Sequence, residues 1–476
     1  MNDPNGLTQT PDGRLHLFYQ ANPNSTAAPW APHQQPTEWG HATSRDLVHF
    51  RPADPFDSAI TGSSGGAVVL PPALRESSGF DAIAFVGGLR TWTSSDTNLS
   101  SWTFQPNGAL SQDPMALVPN TSSAGREGAG DNAAWLGDDG TSVYVLSGGF
   151  SKKHGPQALL FRSNTSDLLG WEFVSVWYTG KTEDGTSVEL NCPDAFPIGK
   201  EGGGTTTWGF VWLAHPTWHS PIINVWMIGD VDPSDSVVFR VNRRGLADQS
   251  SSFIAAQSLT WSDGRRVQYA WVGTPVADGA TGAQTMAREI KLSKSGDRLL
   301  FYPVAEVFSS LHDGAPASFD NVSVPEVEGV VELRNGTVPF GQSFHVRATL
   351  RLPRGTMSNV TVGLSVLGGA VNASFVRGFA GGWSLDVPGF TRGSEPHSNV
   401  TVDSDGSDDV VLDVFVDRSV VEVFVSDGVG AGSIAVTCSV APKETDVGLK
   451  VFRTGDASIV VGQVEVWNMG AACPWS

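Results

Sequence analysis

Val410-Val411-Leu412-Asp413-Val414-Phe415-Val416-Asp417 and, shortly after it, Val420-Val421-Glu422-Val423-Phe424-Val425 are Val-rich runs with period-2 alternation. β-Branched and aromatic residues fit a pleated, half-buried surface, so both runs read as strands. Runs of this kind, joined by turns every ~8–12 residues, read as a β-sandwich. Working back toward the start, shorter β-type runs recur between clusters of Gly, Asp, Asn, Ser and Pro. They include Leu15-His16-Leu17-Phe18-Tyr19, Ala67-Val68-Val69-Leu70, Ala82-Ile83-Ala84-Phe85-Val86 and Val267-Gln268-Tyr269-Ala270-Trp271-Val272. Helical periodicity is absent up to about residue 300, where Val304-Ala305-Glu306-Val307-Phe308-Ser309-Ser310-Leu311 reads as a helical turn and a hinge. The expectation is an all-β chain in two parts, 1–303 and 318–476, with a linker at 304–317. The first part holds too many strands for a simple sandwich. A propeller repeats short strands while keeping every edge short. Its blades are too degenerate to count from the sequence.

The bulk numbers agree with a large soluble fold. In 476 residues, 40% are hydrophobic and 17% charged, enough for a sizeable core and against disorder. The 54 Gly and 29 Pro suit many short strands and tight turns. Sixteen Trp are unusual; such rings serve as sugar platforms, though core packing is the commoner role of any single one. A net charge of −19 without a basic stripe argues against nucleic acid as a partner, and no apolar run reaches the ~20 residues of a membrane span. The His show no zinc-type ligand spacing and there is no nucleotide fingerprint, so neither metal nor cofactor is expected. Oligomeric state has no signature in the sequence.

Asn-X-Ser/Thr acceptors stand at Asn24, Asn98, Asn120, Asn164, Asn321, Asn335, Asn359, Asn372 and Asn399. Spread over both halves, they point to a secreted chain carrying N-linked glycans. Chemistry-bearing residues begin at position 2 with no signal peptide before them, so an upstream leader is expected to be missing. Three cysteines are too few for a disulfide framework. Cys438 and Cys473 could pair, leaving Cys192 as a buried free thiol.

Asn2-Asp3-Pro4-Asn5-Gly6-Leu7 is followed in order by Phe18-Tyr19-Gln20-Ala21-Asn22-Pro23 and Trp39-Gly40-His41-Ala42-Thr43-Ser44-Arg45-Asp46. Then come Asn191-Cys192-Pro193-Asp194-Ala195-Phe196, Gly264-Arg265-Arg266, Ala287-Arg288-Glu289-Ile290 and Asp417-Arg418-Ser419-Val420-Val421-Glu422. The series resembles glycoside hydrolase family 32, the invertases, inulinases, levanases and related fructosyltransferases, over nearly the whole chain. The resemblance implies a five-bladed β-propeller followed by a β-sandwich, with carboxylates presented by innermost strands at the propeller axis. It implies sucrose or fructan as substrate.

Retaining glycoside cleavage needs two carboxyl groups roughly 5–5.5 Å apart, one attacking the anomeric carbon and one protonating the leaving oxygen. Asp3 matches the family's nucleophile. Asn2 and Gln20 match positions that contact the fructosyl unit, and Trp39 is expected to pack beneath the site. Asp131 is the candidate for the acid that supports the transition state, although the family's Arg and Pro around it are lost. An alignment anchored on Trp135 puts Gly130 there instead, and Arg126 is a candidate for the lost guanidinium. Asn191 stands where the family has its acid/base Glu, and an amide is no useful proton donor. Glu189, two residues upstream on the same strand face, would replace it if a bulge brought it to the leaving oxygen. Ser64, in a loop where the family has Trp-Ser-Gly, completes the substrate-binding candidates with Asn191 and Asp194. Three readings follow: an active retaining glycosidase or fructosyltransferase, a fructan-binding relative that has lost acid catalysis, and a structural extracellular propeller.

Overall fold

A computed structural model of the chain describes residues 1–22, 37–53, 60–119, 130–151, 154–180, 189–200, 206–214, 222–232, 237–274, 282–325, 329–352, 360–377, 383–390, 399–400, 409–426, 432–455 and 460–470. The period-2 alternation of residues 409–426 has a direct outcome in the fold. In the Asp409–Asp417 strand, Val410, Leu412, Val414 and Val416 enter one apolar cluster, while Phe415 enters another on the opposite face. The Val420–Ser426 strand does the same, with Val421, Val423 and Val425 on one side and Phe424 on the other. Successive side chains of a strand point to opposite faces, so a strand buried on both sides separates two cores.

The first of those cores lies between two antiparallel sheets. One has six strands in the order His312–Ser323, Val460–Met469, Ser343–Arg351, Asp409–Asp417, Val420–Ser426 and Gly432–Ser439. The other has seven: Val338–Pro339, Val330–Asn335, Leu449–Thr454, Thr361–Val366, Val371–Arg377, Trp383–Asp386 and Asn399–Val400. Leu364, Phe375 and Val451 of the second meet Val346, Val414 and Val464 of the first in one cluster.

Ahead of these sheets come five others in chain order, each an antiparallel meander. They begin with the strands Pro4–Gln9, Gly65–Val69, Asn132–Leu136, Leu190–Lys200 and Phe253–Thr260. Each of these first strands touches the next, and the fifth touches the first, so the five close a ring. Wedges of apolar side chains fill the space between neighbouring sheets. Leu146, Leu160, Trp177 and Leu190 with Phe210, Trp212 and Met227 form one wedge, and Phe196, Val211 and Ile228 with Phe253, Ala270 and Ile290 form the next. The stretch 304–317 divides in two: the short helix Ala305–Ser310, then the opening residues of the His312–Ser323 strand.

The second core joins the two parts of the chain. Leu7, Leu15, Tyr269, Val304 and Val307 pack there against Phe415, Phe424 and Ala435. At its edge Arg288 is fully buried, held by Asp248 at 2.9 Å and Glu422 at 2.6 Å. Thr437 accepts from Arg288 at 2.7 Å and donates to Asp248 at 2.7 Å, and the Met286 amide donates to Glu422 at 2.8 Å. The guanidinium also lies over the rings of Phe253 and Phe424, 4.4 and 4.9 Å from their centres. Buried charges are tolerated only when paired and hydrogen-bonded, and here three strands of two sheets each supply part of the arrangement. Removing the cation would leave two carboxylates facing each other without water. Arg288→Ala is expected to lower unfolding free energy by about 3–5 kcal/mol, and Arg288→Lys to recover only part of it. Denaturant unfolding of the three chains checks this; equal midpoints would contradict a stabilising role for Arg288.

Candidate active site

Because the five first strands circle one axis, their beginnings meet at one end. Asp3 immediately precedes Pro4–Gln9, Ser64 precedes Gly65–Val69, and Asp131 precedes Asn132–Leu136; Asn191 is the second residue of Leu190–Lys200. The local sequence makes the first of these beginnings possible. Pro4 stands at the first strand position, where a missing N–H is tolerated. Gly6 follows in a bulge with φ of +51°, and a Cβ there would lie 3.1 Å from both Ala67 and Trp39. Only glycine accepts that backbone without strain.

The Asp3 carboxyl is gripped from one side. Ser64 Oγ donates to Asp3 Oδ2 at 2.5 Å, and Gln20 Nε2 donates to the same oxygen at 3.3 Å. Gln20 Nε2 also donates to Ser64 Oγ at 2.7 Å, closing a triangle. Asn2 donates to Gln20 Oε1 at 3.4 Å, while its own carbonyl accepts from Gln284 at 2.6 Å. Backbone bonds from Asn2 to Gln20 (2.8 Å) and from Gln20 to Asp3 (3.0 Å) hold the two strands in register. Trp39 is fully buried beneath this group, its indole donating to the Ser63 carbonyl at 3.1 Å. Gly65 allows the close fit of the next strand, since a Cβ would fall 2.0 Å from the Phe85 carbonyl oxygen.

Burial pushes the Asp3 carboxyl up to about 7; the Ser64 hydrogen bond opposes the rise and the charge of Asp131 adds to it. Asp131 is held in turn by Cys192, whose amide and thiol both lie 3.3 Å from Asp131 Oδ2 and donate to it. That geometry comes from a bulge. The register shifts between Asn191 and Asp194, and Cys192 sits at φ of +45°, in the left-handed region. Burial, and then the negative charges of Asp131 and Asp3, push the Cys192 thiol well above its usual value. The bulge lies beyond Asn191 rather than between Glu189 and Asn191. Glu189 is half-buried just ahead of its strand, and Asn191 is half-buried within it.

Asp194, on the far side of the bulge, is buried and engaged by the protein. Arg266 pairs with it at 3.0 Å, Ser258 donates to it, and Arg266 lies over the Phe196 ring at 4.5 Å. Burial raises its carboxyl and the Arg266 charge opposes that rise. Asp3, Asn2, Gln20, Ser64 and Asp131 are thus brought to one cluster with Cys192, while Asp194 belongs to an ion pair further along the ring. Cys192 is the site residue that sequence reasoning passed over: it is a buried free thiol, as expected, but one aimed at a carboxylate. Its place inside the Asn191-Cys192-Pro193-Asp194 motif was the available signal. Cys438 is likewise a buried free thiol. Arg126, Cys473 and the acceptors Asn24, Asn120 and Asn359 lie outside the described residues. Among the described residues no group of three His, Cys, Asp or Glu side chains is set to hold a metal ion.

The pattern describing the glycosyl hydrolases family 32 N-terminal domain matches residues 1–303, and that of the family 32 C-terminal domain matches residues 341–468. The chain is 26% identical to β-fructofuranosidase, insoluble isoenzyme 7, of Oryza sativa subsp. indica, over 99% of its own length and 87% of the relative's. It is 28% identical to sucrose-6-phosphate hydrolase of Escherichia coli, over 65% of its own length and 63% of the relative's. Its fold is similar to that of fructan 1-exohydrolase IIa from Cichorium intybus, with a TM-score of 0.75 at 19% identity over 99% of this chain and 96% of that one. With both domain patterns matched in order, and a carboxylate cluster at the shared end of the first strands, the chain belongs to glycoside hydrolase family 32 and is a glycosidase.

Proposed function

We propose that this chain cleaves β-fructofuranosides, sucrose or fructan, with retention of configuration, and that Asp3 is its nucleophile. The observation that carries the reading is the Asp3 carboxyl held by Ser64 and Gln20 within reach of the Asp131 charge. A nucleophilic carboxylate must be presented in one orientation, and two donors on a single oxygen leave the other free to attack. Asp131, fixed by Cys192, would support the positive charge that develops on the sugar ring in the transition state. Asn2 and Gln20, linked to each other, would take sugar hydroxyls. The names of the rice and chicory relatives support the substrate class.

Asn191 supports a second reading, a fructan binder impaired in acid catalysis. It stands at the beginning of its strand where a proton donor would be useful, and an amide there cannot protonate a leaving oxygen. Glu189 precedes it by two residues and is our candidate donor. Asp194 is better accounted for as the partner of Arg266 than as a contact to sugar. We read the five ring-forming sheets as the blades of a propeller, and the six- and seven-stranded sheets as a sandwich, with the junction at 304–317. The exposed acceptors Asn98, Asn164, Asn321 and Asn335 suit N-linked glycans on a secreted protein, in keeping with the insoluble plant relatives.

Incubation with sucrose, inulin and levan tests the main reading: Asp3→Ala should reduce turnover to background, and equal turnover by both chains would refute it. Asn191→Glu separates the two readings. A site lacking its acid should gain about 10²–10⁴-fold in kcat, whereas a site served by Glu189 should gain little. The nucleophile acts as its anion, so kcat/KM should fall about tenfold per pH unit below about 7. Ser64→Ala removes a bond that favours the anion, and should move that acid limb to higher pH. A limb that stays put would place the titration elsewhere.

A further inference from the structure

Past the carboxylate cluster, the five first strands enclose a cavity of about 1390 Å³. Its lining begins at Gly66, Ala133 and Asp194, each beyond the Ser64, Asp131 and Asn191 positions, and runs to the turn after Asn132–Leu136. Gln257 Nε2 reaches the Gly65 carbonyl at 2.9 Å, between the two regions. The cavity is therefore distinct from the Asp3 cluster, and the exposed turn residue Asp138 sets its far rim in solvent.

Three half-buried rings face it. Trp135 and Tyr144 lie nearly parallel, 10° apart with centres 5.8 Å from each other, as cross-strand neighbours. Trp208, from the next sheet, meets Trp135 at 61° and 6.0 Å, making a corner. All three pack on the apolar wedge that contains the fully buried Trp177, and each keeps part of its surface toward the cavity. Around the corner stand hydrogen-bonding groups. Arg162 is exposed and tied to Glu172, its Nε donating at 2.9 Å, and it also reaches the Tyr144 hydroxyl. Asp138 is exposed nearby.

We propose that this far end of the ring is a second carbohydrate site that takes a neutral oligosaccharide. Apolar ring faces cover the C–H face of a sugar, while a few polar groups at the edge receive its hydroxyls. The volume exceeds the roughly 300–1,000 Å³ of sites for drug-sized molecules, which suits several sugar units rather than one. The arginines on the cavity's lining are each paired with a carboxylate, Arg75 with Asp81, Arg162 with Glu172 and Arg266 with Asp194, which favours a neutral glycan over a uronate or sulfated one. The site goes beyond the cleavage reaction. On a polymeric substrate, a second contact raises the effective concentration of chain ends at the first.

Titration calorimetry of the Asp3→Ala chain with a short inulin oligosaccharide, and separately with a cello- and a malto-oligosaccharide, tests this without turnover. Trp208→Ala in that background should weaken binding of the preferred oligosaccharide by about tenfold, the size of one lost stacking contact, and Asp138→Ala by a few-fold. Trp208→Ala in the otherwise native chain should leave sucrose turnover unchanged. Should Trp208→Ala fail to fold, Trp208→Phe together with ligand-dependent tryptophan fluorescence reads the same contact. No binding by any of the three sugars, or binding untouched by both Trp208 and Asp138 variants, would overturn the proposal. Loss of the cleavage reading would appear separately, as a native chain that binds these sugars but releases no product.

Discussion

Strands that circle a common axis in the same sense must all begin at the same end. Pro4–Gln9, Gly65–Val69, Asn132–Leu136, Leu190–Lys200 and Phe253–Thr260 close such a ring, and contacts of Asp3 with Ser64, of Asp131 with Cys192 and of Cys192 with Ala255 tie their beginnings together. Each first strand is the inner edge of its sheet and pairs with one neighbour there, so its other edge faces the axis and is met from other sheets, as Gln257 meets the Gly65 carbonyl. Side chains separated by 61 residues in sequence, such as Asp3 and Ser64, become hydrogen-bond partners through that geometry alone. Glycine enforces it: Gly6 and Gly65 let neighbouring strands approach more closely than any Cβ would permit.

Electrostatics at the cluster is a balance of opposing terms. Burial drives the Asp3 carboxyl toward its neutral form and the neighbouring Asp131 drives it the same way, while Ser64 restrains the rise. Left without Ser64, the group would be a weaker candidate for an anion near neutral pH. The junction of the two parts solves the opposite problem. There a permanent cation, Arg288, keeps Asp248 and Glu422 in a dry interface, with Thr437 filling the remaining hydrogen-bond positions. Glu422 lies on the alternate face of a strand whose Val421 and Val423 belong to the other core, so one strand serves both.

Much of this was legible from residues in series. Period-2 alternation in 409–426 identified the strands, because burial on two faces leaves a compositional mark. Asn2-Asp3-Pro4-Asn5-Gly6 was legible through the ordered series of motifs that it heads, and its proline and glycine suit the strand start and bulge found there. Contacts across the ring were not. Nothing in local pattern says that Asp194 belongs to Arg266, 72 residues away, or that Cys192 bends back toward Asp131. A bulge changes which face a side chain meets, and bulges leave no periodic trace. The turn of helix at Ala305–Ser310 was visible by composition, but the point where the chain re-enters a sheet, at His312, was not, since Asp313 and Gly314 carry little strand propensity.

The Cys192 thiol has a consequence for the chemical durability of the site. Thiolates, not thiols, attack disulfides and are oxidised, and this sulfur is kept protonated by burial and by two nearby carboxylates. It donates its proton to Asp131 at 3.3 Å instead of losing it. An exposed free thiol is ordinarily a liability, prone to mixed disulfides and sulfenic acid. The same negative charge that would stabilise a sugar cation thus shields its neighbour from oxidation, so the cluster would age slowly where a solvent-facing thiol would not.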